Sequence, residues 1–127
     1  DPVRRTEWVT AFVVSAISIN HKRLLKPFNP LLGETYELVC KGFRLHMEQV
    51  SHHPPVSAFH AESADFSYYG NSQASVRFRP SYVEFTPEGL LTVELRCRNA
   101  SGAVTHTETF TWTNVPGIVR NLVWGPM

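Results

Sequence analysis

The sequence predicts a mainly β (α+β) fold, one N-terminal helix followed by an antiparallel meander. Three observations carry this expectation. Residues 4–17 repeat apolar side chains at helical spacing behind an Asp-Pro start, the stretch from Thr35 onward alternates at period two, and turn-forming groups recur between short apolar runs. The 127 residues, 43% hydrophobic and 12% aromatic, suffice for one domain with a buried core. Twelve Lys and Arg against eleven Asp and Glu give a net charge of +1, so no global field draws the chain to nucleic acid or to a strongly anionic membrane. Any anion must be caught locally.

At the start, Asp1 is placed to cap a helix and Pro2 has its φ pre-set for the first helical position. Trp8, Phe12 and Ala16 form one stripe and Val9, Val13 and Ile17 the next, which predicts a broad buried face, although the β-branched residues pull partly toward strand. After the basic linker 20–23, Pro27 and Pro30 forbid a regular helix and impose an ordered loop on residues 24–34. Lys26 and Asn29 are the polar groups of this otherwise apolar, stiffened segment, and Gly33 allows a tight bend into a strand starting near Thr35. The next strand places Phe43, Leu45, Met47 and Gln49 on one face and Arg44, His46, Glu48 and Val50 on the other. Further strands are expected at 56–61, 66–69, 75–78, 82–85, 90–98, 104–112 and 118–124. The turns between them fall at Gly70-Asn71-Ser72, Pro87-Glu88-Gly89, Asn99-Ala100-Ser101-Gly102 and Pro116-Gly117.

Cys40 and Cys97 have no metal-ligand spacing around them and are read as two reduced thiols of a cytosolic protein. On that reading the sequon Asn99-Ala100-Ser101 is idle. No signal peptide is seen at Asp1, and no apolar run approaches the roughly 18 residues of a membrane span. A soluble protein is the expectation.

The chemistry concentrates in residues 48–55, Glu48-Gln49-Val50-Ser51-His52-His53-Pro54-Pro55. Two adjacent imidazoles precede a double proline that sets two φ angles and removes two donors. Ser51 and His52 point opposite ways in an extended segment, which makes a poor nucleophilic dyad, and no GxSxG, phosphate loop or HExxH motif occurs. A zinc site built on His52 and His53, with a third ligand from Glu48, His46 or His60, meets the same alternation problem unless Pro54 bends the second histidine around. Anion capture fits better: Lys26, Asn29, His52 and His53 supply donors and local charge for a phosphate monoester if the two proline-stiffened segments lie side by side. The alternative is that each histidine is a satisfied turn residue. Phe28, Leu31, Leu32, Phe43, Leu45, Met47 and Phe59 are equally open, as core or as the lining of a cavity for a hydrocarbon ligand.

The strings KPFNPLLGETYE (26–37) and EQVSHHPP (48–55) resemble the two signature segments of the oxysterol-binding-protein-related lipid-transfer family. The flanking DPVRRTEWVTAFVVSA and the later Thr111-Trp112-Thr113-Asn114 are similar to it as well, so the resemblance covers most of the chain. It implies an incomplete antiparallel β-barrel around a hydrophobic tunnel for one lipid, a sterol or the acyl chains of a phospholipid such as phosphatidylserine. It also implies phosphatidylinositol 4-phosphate as a ligand, its head group held at the mouth by Lys26, Asn29, His52 and His53, with Phe28, Leu31, Leu32, Leu45 and Met47 toward the tunnel. No catalytic residue, metal or cofactor follows from it. The expected protein is a cytoplasmic carrier, touching membranes transiently at organelle contacts. Residues 1–127 are expected to be a partial domain, without the family's lid and its C-terminal head-group contacts, and Arg120 stands where relatives often carry histidine. Two rivals remain, a structural β-domain with a filled core and a metal-dependent hydrolase using His52, His53 and Glu48.

Overall fold

A computed structural model describes residues 1–18 and 28–120. Helix α1 (Pro2–Ser18) precedes eight strands: β1 (Thr35–Cys40), β2 (Phe43–His52), β3 (Pro55–Glu62), β4 (Phe66–Arg79), β5 (Tyr82–Glu88), β6 (Leu91–Arg98), β7 (Val104–Trp112) and β8 (Gly117–Arg120). All pairings are antiparallel, in the order β1-β2-β3-β4-β5-β8, with β6 joining β4 to β7. The sheet is open. As expected, Asp1 caps the helix, its Oδ1 accepting from the Val3 N–H at 2.9 Å.

Two expected turns are not turns. Gly70-Asn71-Ser72 lies inside β4, which runs unbroken for 14 residues because both its edges are engaged. On one side it pairs with β3 over residues 67–73; on the other, residues 66–70 meet β6 and 73–79 meet β5. Gln73 pairs with Glu88 and Gly70 with Leu91, so β5 and β6 keep one register and are collinear across Gly89-Leu90. Pro87-Glu88-Gly89 therefore interrupts a strand instead of reversing it. Gly70 serves close approach: a Cβ there would stand 2.6 Å from the Leu90 carbonyl oxygen and 2.8 Å from Leu91 Cδ2. The turn at Asn99 does form, its side-chain oxygen accepting from the Ser101 and Ala103 amides, with Gly102 at φ 83°.

Register sorts side chains into two faces. Tyr36, Met47, Phe59, Gly70, Leu91 and Trp112 form one continuous row across β1, β2, β3, β4, β6 and β7. Leu38, Leu45, Ala61, Tyr68, Val93 and Phe110 form the neighbouring row on the same inner face. The outer face carries Glu37, His46, His60, Tyr69, Thr92 and Thr111 in register. The face predicted for β2 is thus realised.

Helix α1 lies on the inner face. Phe12 meets Tyr68 and Trp112 edge-on at 5.4 and 6.4 Å, Tyr68 and Trp112 stack at 5.7 Å, and Phe59 closes the cluster 4.8 Å from Tyr68. Arg5 grips Glu108 of β7 with Nε donating to Oε2 at 2.7 Å and Nη2 to Oε1. The broad buried stripe expected for the helix is not realised. No helix residue is buried, Trp8 is 74% exposed, and Arg5, Val9 and Val13 are the half-buried positions. Periodicity located apolar residues but not the ion pair of Arg5 with Glu108. Only Ala61, Val83, Leu91 and Val93 are buried apolar residues, and no large side chain is fully buried among the described residues.

Two outcomes are expected. Gly70→Ala forces β6 away and should lower stability by about 1–3 kcal/mol, read as a lower urea midpoint with an unchanged slope. The Arg5 guanidinium, aided by His106, holds the Glu108 carboxyl at about 2 instead of 4.5. The folded value lies below the unfolded one, so this stabilisation is present above about pH 4.5 and is lost as pH falls toward 2. Near-ultraviolet dichroism of the Phe12–Tyr68–Trp112 cluster should decay over that window, and Glu108→Gln should remove that part of the pH dependence.

Candidate functional site

Residues 28–34 and the end of β2 are stitched together by the backbone. The Gly33 N–H donates to the Gln49 carbonyl at 2.9 Å and the Gln49 N–H to the Glu34 carbonyl at 3.1 Å, extending the β1–β2 ladder back into the loop. Gly33 makes the necessary bend at φ 76°, a left-handed conformation open to glycine. Within the loop the Glu34 N–H donates to the Leu31 carbonyl at 2.9 Å, and Glu34 Oε2 accepts from the Leu31 N–H at 2.7 Å. The end of the proline loop is therefore bonded to β2 at Gln49.

Gln49 is the polar centre of this junction, 2% exposed. Its Nε2 donates to the Ser51 carbonyl at 2.8 Å and its Oε1 accepts from Ser57 Oγ of β3 at 2.6 Å. The side chain thereby braces the bulge in which Val50 has no partner while Gln49 pairs with Ser57 and Ser51 with Val56. Sequence reading had placed Gln49 on the inner face without assigning it this part. Its signal was a long polar residue at an otherwise apolar face position.

Beyond the bulge His52 ends β2 opposite Pro55, and His53 lies in the turn, its bond to Pro54 cis. The two imidazoles come together, ring centroids 4.5 Å apart and planes at 62°. The strand stops at His52 and the chain turns at 53–54, so the extended geometry that would point them apart does not cross the pair. Both are exposed, as is Asn29 on the loop that is bonded to Gln49. Lys26 lies outside the described residues. Leu45 and Met47 take inner-face positions, whereas Phe28, Leu31 and Leu32 are exposed on the loop.

The histidine metal set is not assembled among the described residues. His46 faces Glu37 at 3.4 Å and His60 packs on Tyr69 at 5.9 Å, both on the outer face, and the one trio of gathered ligand atoms is Cys97, His106 and Glu108. Cys40 and Cys97 are free thiols. No described helix is long and apolar enough to cross a membrane.

An open antiparallel sheet preceded by an N-terminal helix is a fold shared with solved ORD domains. The Osh1 ORD solved with ergosterol superimposes with a TM-score of 0.86 at 35% identity, over 99% of this chain and 30% of that one. The Saccharomyces cerevisiae Osh3 ORD solved with PI(4)P gives 0.80 at 39%, over 94% and 32%. The family model described as oxysterol-binding protein matches residues 1–127, and the chain belongs to that family. Oxysterol-binding protein-related protein 1 of Homo sapiens is 48% identical over all of this chain, and related protein 2 of Homo sapiens 45% over 99%. The chain spans 13% and 25% of these relatives' lengths.

Gln49→Ala should strip Ser57 Oγ of its acceptor and the Ser51 carbonyl of a donor in a buried setting. The expected cost is about 1–3 kcal/mol. Faster amide exchange at Gly33 and Gln49 than at β4 amides would localise the loss to the junction.

Proposed function

We propose that this chain is part of a non-enzymatic lipid carrier that holds phosphatidylinositol 4-phosphate by its head group and exchanges it for a sterol or another phospholipid such as phosphatidylserine. The observation that supports the reading is the backbone junction at Gln49, which bonds the end of the loop carrying Asn29 to β2 three residues before the paired imidazoles of His52 and His53. A phosphate monoester is held best by several converging charge-assisted donors, and Lys26, Asn29, His52 and His53 supply lysine, amide and imidazole donors from the two joined segments. The PI(4)P-bound state of the Osh3 relative, and the ergosterol and cholesterol complexes of Osh1, support the two ligand classes.

The apolar tail would occupy the inner face, with Leu45 and Met47 on its wall and Phe28, Leu31 and Leu32 toward the mouth. On that face Tyr36 is 55% and Met47 37% exposed, apolar surface that a lipid tail would cover. We read residues 1–127 as a partial domain whose tunnel is completed by further chain. Burial of hydrocarbon then supplies most of the affinity, at about 25 cal/mol per Å² of apolar surface, and the phosphate clamp supplies selectivity. Action in the cytoplasm, with transient contact at apposed organelle membranes, follows from this exchange.

In the complete domain, His52→Ala combined with His53→Ala should reduce phosphoinositide extraction from vesicles about 100-fold or more, the scale of two lost charge-assisted contacts, and spare sterol loading. Parallel loss of both ligands would sink the clamp and assign the pair a folding role.

A further inference from the structure

Cys97 and His106 are direct partners across β6 and β7, and Glu108 follows one step along the same inner face, opposite Leu95. Cys97 Sγ, a ring nitrogen of His106 and a carboxylate oxygen of Glu108 all lie within 4.8 Å of one another. The β7 bulge sits here, leaving Thr105 unpaired between His106 and Val104. Its hydroxyl donates to the Cys97 carbonyl at 3.0 Å and stands 3.0 Å from His106 Nδ1. A hydroxyl has one proton to give. With that proton given to the Cys97 carbonyl, Thr105 Oγ1 is left to accept at His106 Nδ1. His106 Nε2 stands 3.3 Å from Glu108 Oε1, with the thiol of Cys97 alongside.

We propose that Cys97, His106 and Glu108 form a binding site for a thiophilic divalent cation of the zinc class, separate from the lipid site. Thiolate, imidazole and carboxylate in a trio, with a fourth position left to water, is a donor set zinc accepts. Bonds of about 2.0–2.3 Å require ligand atoms roughly 3.3–3.8 Å apart, so rotamer adjustments of Cys97 complete the geometry already present between His106 and Glu108. Thr105 supplies the outer hydrogen bond that orients a metal-bound imidazole. Arg5 is the competing cation, because its guanidinium now takes both carboxylate oxygens of Glu108. Metal binding and the docking of α1 through Arg5 are consequently antagonistic, and by linkage each weakens the other equally.

The test is titration of cobalt(II), then zinc, into the purified, reduced protein. One equivalent of cobalt should produce a thiolate charge-transfer band with a tetrahedral visible spectrum, displaced by one equivalent of zinc and retained in the His52→Ala/His53→Ala double variant. Cys97→Ser should abolish the band, and His106→Ala should weaken binding at least tenfold. Arg5→Ala should tighten it about tenfold, the scale of one competing charged contact. Absence of a band in the unaltered protein, or its survival in Cys97→Ser, overturns the site. So does an Arg5→Ala variant of unchanged far-ultraviolet dichroism that binds no more tightly, since Glu108 would then not be a ligand.

Discussion

The corner of the sheet that carries the histidines depends on one buried amide. Gln49 spends its backbone on the loop before β1 and its side chain on the bulge and on β3, so a single residue ties three stretches of chain. A buried amide left without partners is costly, which makes the arrangement nearly all-or-none. With the bulge braced, β2 can end at His52 and the chain can turn, bringing two imidazoles together that a straight strand would separate. The apparent motif is thus a consequence of the residue three positions before it.

A second constraint is the alternation of faces. Rows such as Leu38-Leu45-Ala61-Tyr68-Val93-Phe110 are apolar across six strands, while the rows between them carry histidines, carboxylates and threonines. The polar rows satisfy one another on the outer face, as when Tyr69 donates to Glu94 at 2.9 Å and Arg96 to Ser67 at 2.7 Å. The apolar rows do not fill each other, because a single sheet has nothing to interdigitate with except a helix that touches it mainly at Phe12 and Arg5.

Much of this was legible in advance, and the misses share a cause. The helix cap at Asp1, the bend at Gly33 and the inward set Phe43, Leu45, Met47 and Gln49 follow from local rules of conformation and period. Gly70 and Gly89 were taken for turn formers, yet Gly70 is required by the approach of Leu90 and Leu91, residues distant in sequence. Trp8 was assigned to a buried stripe, yet it is exposed while Arg5 of the same helix pairs with a glutamate 103 residues away. The trio Cys97, His106 and Glu108 carries no spacing motif, since its members meet only through the register of β6 on β7.

By itself the sequence determined the class of fold, the faces of the strands and the two segments that mark the family, because period, proline geometry and turn chemistry act over a few residues. Only the tertiary structure decided that β5 and β6 form one line along β4, that the histidine rings stand 4.5 Å apart, and that the Asn29 loop is bonded to Gln49. These are matters of register between strands. Register is chosen by the fit of whole faces and the satisfaction of buried polar groups, which no local window contains.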